Sequence, residues 1–484
     1  MASVERAETA DFETFVPLAI VGAGAAGLTA ALAARMAGAE EVLILERDPA
    51  PSGSTALSAG LVPAAGTRFQ REAGIDDTAE LFAADIMQKA HDEPDADLVT
   101  RVTAASGPAV EWLADRFALP FSLVTDFSYP GHARRRMHGM PSRSGQELVD
   151  RLRQAAEDEG CDILCDSLVE TLFVGADGSV TGLAFTRPDG GRERLGVGAL
   201  ILACNGYGGN PALVAEHVPA LSGALYSGHA GNRGEAILWG AAMGAQLRHL
   251  SGHQGHGSLA HPAGILLTWA TITEGGCQVN ARGERFSDES RGYSEQAAAV
   301  LKQPDGIAYT IFDERIAAIC RQFEDFRNLE AVGAVVSAAT VTELAEKLKL
   351  PAGALQATMA AFEVAKGAGR GDPGAGKADA GRPSGEPPDR DRFGRPLAGT
   401  PRLEAPLRAA RVTGALFHTQ GGLVVDENAR VLREDGTAIA NLYAAGGAAC
   451  GVSGAKASGY LSGNGLLTAV TLGRIAGDAA GRGR

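Results

Sequence analysis

The stretch from Leu18 to Glu46, LAIVGAGAAGLTAALAARMAGAEEVLILE, constrains this chain more than any other. A short apolar run, Leu18 to Val21, meets a turn with glycines at 22, 24 and 27. An alanine-rich helix follows, and a second apolar run ends at Glu46. Short apolar runs read as buried strands, so the stretch is one βαβ unit. Gly22 permits the tight turn, Gly24 lets a pyrophosphate approach the backbone, and Gly27 lets the helix pack against the strand. Phosphate then meets a helix N-terminus, where free N–H groups and the dipole favour an anion. Glu46 falls where an acid accepts hydrogen bonds from ribose hydroxyls. Glycine-rich turns are common by themselves. Here strand, helix, second strand and terminal acid share one spacing, and together they point to dinucleotide binding.

At 484 residues, 45% of them hydrophobic, the chain is too long for one ordinary core, so two domains are expected. The 44 basic and 58 acidic residues give a net charge of -14, which argues against nucleic acid or an anionic membrane as partner. No apolar run reaches the roughly 18 residues of a membrane span. The opening MASVERAETADFETFVP carries acids and neither an apolar core nor a twin-arginine pair, so a cytoplasmic protein is expected. The six cysteines, at 161, 165, 204, 277, 320 and 450, never form CxxC. Covalent haem and cysteine-held metals are therefore not expected, no metal site is assigned, and any electron acceptor must be a separate molecule.

After Glu46 the loop RDPAPSGSTALSAGLVPAAG offers Ser54, Thr55 and Ser58, small hydroxyl residues that let backbone approach a flat ligand. Residues 78–118 read as helices. The loop FSYPGHARRRMHGM follows, with Tyr129 as a packing residue and at least two of Arg134, Arg135 and Arg136 in solvent. Residues 163–203 alternate as short strands, ending in ALILAC, which rejoins the first sheet. A cap is expected over 256–395, with a Gly/Pro-rich surface loop at 366–396; residues 1–255 and 396–484 form the dinucleotide-binding domain. In HLSGHQGHGSLAH, one of His253, His256 or His261 is expected as a polar wall of the substrate cleft, with His256 the residue assigned. The chain closes with NLYAAGG and CGVSGAKASGYLSGNGLLTAVTLGRIAG, again strand, loop and helix. A helix starting near Gly463 would aim its positive end at the central crevice.

Four ordered motifs, VGAGAAGLTAAL, VNARGERFSDE, FHTQGGLVVDE and NLYAAGG…SGNGLL…GRIAG, resemble the FAD-dependent fumarate reductase and succinate dehydrogenase flavoprotein superfamily. Within it the pattern is most similar to 3-ketosteroid dehydrogenases and related enone-forming enzymes. The resemblance implies an α/β fold, a Rossmann-like FAD-binding domain with an inserted α+β capping domain. It places FAD against Gly22, Gly24, Gly27, Glu46, Arg47, Ser54, Thr55, Ser58 and Gly60, and against Gly446, Gly463, Asn464 and Leu466 at the C-terminal end. Relatives that attach FAD covalently use a histidine in the loop after the acid. Residues 47–66 contain none, so non-covalent FAD is expected.

The departures narrow the chemistry. Where fumarate reductases carry a proton-delivering arginine seven residues after the RF phenylalanine, this chain has Tyr293. A second substrate-binding arginine is replaced by GAKASGYLSGN, which resembles the YxSG segment of ketosteroid dehydrogenases and maps onto Tyr460 and Ser462. The resemblance therefore implies an FAD-dependent dehydrogenase acting on a CH–CH group beside a carbonyl, in a cyclic ketone, ketosteroid or oxo acid. Tyr293 and Tyr460 would supply base and donor, with Ser462 as relay. His418 and Thr419, in FHTQGG, match residues with which fumarate reductases hold a substrate carboxylate. A substrate carrying both ketone and carboxylate reconciles the two signals. Reduction of an unsaturated carboxylate, as in fumarate reductases, is the alternative, and a non-catalytic flavin electron relay is a second.

Overall fold

Strand Phe15–Val21 lies inside a parallel sheet, which is why its apolar residues fall on both faces: Leu18, Ala19 and Ile20 are fully buried. The computed structural model describes residues 2–367 and 390–483. The Gly/Pro-rich loop expected at 366–396 falls largely at 368–389, outside the described residues. Phe15–Val21 pairs with Val42–Leu45 on one side and Arg192–Leu202 on the other, with Asp162–Leu164 beyond the first and Ala438–Ala444 beyond the second. All four pairings are parallel. Val21 is in register with Leu45 and Leu202, Leu45 with Leu164, and Leu202 with Ala444. The carboxyl ends of five strands therefore finish on one line, the edge at which open α/β sheets bind ligands. The Rossmann-like core is as expected, and ALILAC does rejoin the first sheet. Antiparallel strands Leu168–Val174 and Val180–Thr186 extend it from the first half of Arg192–Leu202.

Two helices cover this core from opposite ends of the chain. Helix Ala25–Met36 is buried at every position from Ala25 to Ala34. Its partner is the C-terminal helix Asn464–Arg482, which presents Gly473, Gly477 and Gly481 at a spacing of four, one face of a helix. A Cβ at 473 would lie 2.5 Å from the Ala26 carbonyl oxygen, and one at 481 would lie 2.7 Å from that of Ala34. A Cβ at 477 would overlap the Ala30 carbonyl. Backbone meets backbone, and the spacing holds only while both faces are small.

The chain forms two compact units: Met1–Gln254 with Phe417–Arg484, and Gly255–Leu416. The second is built on an antiparallel sheet in the order Ile265–Leu266, His253–Ala260, Leu407–Thr419, Ile307–Asp313, Cys277–Val279. Val335–Ala338 also pairs with Leu407–Thr419. Residues 396–416, expected with the dinucleotide-binding domain, fall in this unit, because Leu407 to Thr413 pair residue for residue with Asp313 to Ile307. Helices Glu314–Cys320, Glu324–Ala331, Val341–Leu348 and Ala352–Gly367 belong to the same unit and supply residues to its two apolar cores. Among the described residues no helix is long and apolar enough to cross a membrane.

Because the Ala30 carbonyl cannot move without its helix, Gly477→Leu should cost about 1–3 kcal/mol, the usual range for overpacking. Thermal unfolding would read this as a lowered Tm. An unchanged Tm would mean that these two helices do not meet at Gly477.

Candidate active site

The turn after the first strand is shaped as the glycines require. Gly22 has φ +104°, a conformation that favours glycine, and a Cβ there would lie 2.7 Å from the Ala203 carbonyl oxygen. A Cβ at 27 would overlap the Gly22 carbonyl. Gly24 caps helix Ala25–Met36 with no side chain, leaving first-turn N–H groups for an anion. Thr55 Oγ accepts from Ala25 N–H at 3.1 Å, which brings the serine-rich loop against this turn. Ser58 Oγ donates to the Thr55 carbonyl at 2.7 Å and accepts from Gly60 N–H at 3.0 Å. Glu46 is buried. Its carboxylate accepts from Ala23 N–H at 2.7 Å and Asp48 N–H at 3.0 Å. Burial raises its pKa, and these two backbone N–H groups pull it back. Each carboxylate oxygen keeps a lone pair for a ribose hydroxyl.

Two of the expected cofactor residues are engaged elsewhere in this unit. Arg47 donates to the Gly231 carbonyl and lies 3.6 Å from Glu235. Ser54 Oγ accepts from His229 N–H at 3.1 Å and from Asn232 Nδ2 at 2.8 Å. Both residues thereby tie the loop after Glu46 to segment 229–235.

At the other end of the unit, Gly463 caps the C-terminal helix with φ +87°. The N–H groups of Gly465 and Leu466 fall in its first turn, before any carbonyl four residues back lies within the helix. Asn464 is fully buried, and its Oδ1 has no hydrogen-bond partner among the described residues. A buried orphan acceptor beside a positive helix end fits a ligand edge that offers an N–H and an electron-rich carbonyl, as a flavin does. Gly446 touches the first helix, since a Cβ there would lie 2.9 Å from Ala26 Cβ. One ligand-sized arc thus runs over both helix starts.

His418 lies near this arc. Gln420 Nε2 donates to His418 Nδ1 at 2.6 Å, Ser453 Oγ donates to Gln420 Oε1 at 2.9 Å, and Asn464 Nδ2 donates to Ser453 Oγ at 2.9 Å. Burial pushes His418 down to about 4, so it is neutral at pH 7. Thr419 is buried, and its Oγ accepts from Tyr207 N–H at 3.3 Å, so it supports the loop 205–209. Gln420 and Ser453 were not singled out in the sequence, where nothing in FHTQGG or GVSG marks them as neighbours.

Tyr460 and Ser462 are buried in the loop before the helix. His132 Nε2 donates to the Ser462 carbonyl at 3.0 Å. His132 is in turn set by Arg136, which is fully buried, forms a bidentate pair with Asp77 at 2.8 and 2.9 Å, and pairs again with Asp85. Arg134 and Arg135 are exposed, so the three arginines divide into one buried pin and two solvated charges. Tyr129 is a packing residue, as its loop suggested: its ring meets Phe127 edge-on at 5.0 Å, against the cluster of Leu61, Val124 and Met137. Burial raises its pKa, so it stays protonated at neutral pH.

The second unit holds the remaining pair. Tyr293 opens helix Tyr293–Leu301, and its ring stacks on His256 with centroids 4.6 Å apart and planes at 19°. Trp269 meets both rings edge-on, at 5.6 and 6.1 Å. Burial pushes His256 down to about 3, and Nδ1 accepts from Ser258 N–H at 3.2 Å, so Nε2 carries the proton of a neutral ring. The Trp269 indole N–H is buried without an acceptor among the described residues. Arg285 of the RGERF motif is consumed by Glu289 and Asp391, and Arg395 also pairs with Glu289, at 3.1 Å. Among the described residues no three His, Cys, Asp or Glu side chains converge as a metal ion would require.

A parallel sheet whose ends finish under two helix starts, with an acid after the second strand, defines a dinucleotide-dependent α/β oxidoreductase. The chain belongs to the FAD-binding family: the model described as FAD binding domain matches residues 18–466. It is 31% identical over 467 residues to the probable fumarate reductase Ifc3 of Shewanella frigidimarina, covering 96% of this chain and 74% of that protein. It is 27% identical to the 4-oxocyclohexanecarboxylate 2-dehydrogenase of Sinomonas cyclohexanicum, covering 96% of this chain and 93% of that one. Among solved structures, an open flavocytochrome c3 fumarate reductase superposes with TM-score 0.79 at 28% identity, over 98% of this chain and 79% of that one. The 3-ketosteroid Δ4-(5α)-dehydrogenase of Rhodococcus jostii RHA1 superposes with TM-score 0.75 at 26% identity, over 99% of each. The protein is an FAD-dependent oxidoreductase, and the resemblance to both branches read from its motifs holds.

His132, His138 and His418 are each held down to about 4 by burial, against about 6.5 in an unfolded chain. A depressed folded pKa means that the unfolded state takes up protons first. The stability these groups contribute is complete above pH 6.5 and is lost as pH falls towards 4. Tm measured between pH 7.5 and 4.5 should fall steadily below about 6.5. A flat profile across that window would contradict neutral buried imidazoles.

Proposed function

We propose that this enzyme introduces, or in reverse reduces, a carbon–carbon double bond beside the ketone of a cyclic oxo acid. The observation carrying this reading is the pair of buried tyrosines at 293 and 460, where fumarate reductases have arginines, together with a neutral histidine at 418. The 4-oxocyclohexanecarboxylate dehydrogenase, matched over nearly its whole length, acts by its name on a ring with both a ketone and a carboxylate.

The residues divide the work as follows. One phenol takes the α-proton and the other donates to the oxygen on which charge develops, while Ser462 passes the proton on. His418 donates to the substrate carboxylate and so fixes the ring. His256, stacked on Tyr293, holds that phenol in orientation and forms a polar wall. When bound, FAD supplies a two-electron acceptor for the β-hydride. We take it to be held non-covalently by Gly22, Gly24, Gly27, Glu46, Thr55, Ser58, Gly60, Gly446, Gly463, Asn464 and Leu466. Arg47 and Ser54 act through the loop they pin. A separate carrier removes the electrons, and we place the reaction in the cytoplasm.

Reduction of an unsaturated dicarboxylate is the second reading, favoured by the fumarate reductase names of several relatives and by His418 itself. Both readings are separable with one substrate panel.

Tyr293→Phe and Tyr460→Phe each remove only an O–H, so folding and FAD content should persist while flavin reduction by a cyclic oxo acid slows by roughly 10². Normal rates in both variants, or fast turnover of fumarate with none of ketones, would overturn the dehydrogenase reading. His418→Ala should raise KM for an oxo acid far more than for the matching neutral ketone. Equal changes would assign His418 to structure.

A further inference from the structure

We propose that Gln420 is a positioning residue that fixes His418 as an Nε2–H donor, through a one-way hydrogen-bond chain starting at the first residue of the C-terminal helix. The inference deepens the proposed recognition of a carboxylate by His418 and rests on that reading for its consequence, though not for its geometry.

Each link constrains the next. Asn464 Nδ2 can only donate, and it donates to Ser453 Oγ at 2.9 Å. With a lone pair used, the Ser453 hydroxyl sends its own proton to Gln420 Oε1, also at 2.9 Å. The Gln420 amide oxygen is thereby an acceptor, so the other end of that amide is the donor, and it reaches His418 Nδ1 at 2.6 Å. A ring nitrogen that accepts cannot carry the proton of a neutral imidazole, so the proton sits on Nε2. The chain is rigid because its members are: Gln420 is 3% exposed, and Ser453 and Asn464 are fully buried.

The donor end is open. His418 Nε2 has no partner among the described residues, and the nearest obstacle is the missing side chain of Gly447, where a Cβ would lie 3.0 Å away. A Cβ at 465 would lie 3.8 Å from His418 Cε1, so a second glycine leaves the ring edge uncovered. Such a ring presents one N–H and no formal charge, which suits carboxylate or carbonyl oxygens and rejects ammonium groups. Were the amide reversed, Nδ1 would hold the proton and Nε2 would become an acceptor with the opposite preference. Gln420 therefore sets the sign of what His418 selects, and it does so without touching substrate. Asn464 adds a link to the cofactor: the same amide whose Oδ1 awaits a partner supplies the first donor of the chain.

The test uses FAD-loaded enzyme labelled with ¹⁵N-histidine, with His418 assigned by the signals missing from His418→Ala. At pH 7 the wild-type ring should show Nε2 protonated and Nδ1 bare, and Gln420→Leu should give a mixture of both forms. Ser453→Ala, which frees Oε1, should shift the ring the same way and guards against a Gln420→Leu protein that fails to fold. In turnover, Gln420→Leu should raise KM for a cyclic oxo acid about tenfold, near the worth of a hydrogen bond to a charged group. It should leave kcat and the neutral ketone little changed, and it should add nothing in the His418→Ala background. A wild-type ring protonated on Nδ1, or one unaltered in both variants, would overturn the proposal. If the ring responds as stated while oxo acid and ketone shift together, the tautomer assignment stands and the carboxylate reading fails.

Discussion

The close packing of helix Ala25–Met36 on helix Asn464–Arg482 is the contact on which the FAD-binding unit depends. Glycines at 473, 477 and 481 lie against the carbonyls of Ala26, Ala30 and Ala34, so two segments from opposite ends of the chain approach until their backbones touch. The first helix begins at Gly24, directly after strand Phe15–Val21, and the C-terminal helix begins at Gly463, against Pro63 and ten residues before the Gly473 that meets Ala26. The contacts 26–473, 30–477 and 34–481 rise together, so the helices run parallel and both positive ends point the same way, which suits a cofactor with phosphates at one end and an electron-accepting ring at the other. A bulkier interface would separate the two ends, however well each local motif folded.

Buried charge in each unit is handled by pairing. Arg136 is buried between Asp77 and Asp85 and orients His132 against the Ser462 carbonyl. In the other unit, Arg285 and Arg395 share Glu289. These pairs are costly to desolvate and worse to break, because removing one partner leaves a buried charge unmatched. Their effect is to hold loops in place, while burial keeps the Tyr129 phenol and the imidazoles of His256 and His418 uncharged at neutral pH. Under the proposed reaction, uncharged donors would stabilise a developing enolate without a large penalty in the resting enzyme.

Much of the fold was legible in order along the chain. The βαβ unit, the helices within 78–118, the strands of 163–203 and the closing strand, loop and helix all appear, because periodicity and glycine spacing are local properties. The boundary near 395 was not legible. Leu407–Thr419 reads as an apolar strand that either unit could take, and only its pairing with Ile307–Asp313 assigns most of it to the second. Arg47 and Ser54, expected as ligand contacts, also hold segment 229–235, through Arg47 Nη1 and the two bonds that Ser54 Oγ accepts. No local pattern announces a partner about 180 residues away.

The sequence by itself determined the cofactor class, since GAGAAG, Glu46 and the terminal SGNGLL are short motifs whose chemistry lies in backbone shape and one acid. It also supplied the candidates for the reactive groups, Tyr293 and Tyr460, where the resembling fumarate reductases carry arginines. Tertiary structure alone decided how those groups are tuned. Tyr293 stacks on His256, Arg136 rather than Arg134 or Arg135 is the buried cation, and Gln420 donates to His418 Nδ1. Each is a matter of distance and burial between segments remote in sequence. A tautomer or a proton affinity depends on which dipoles lie within a few ångströms, and only folding brings them there.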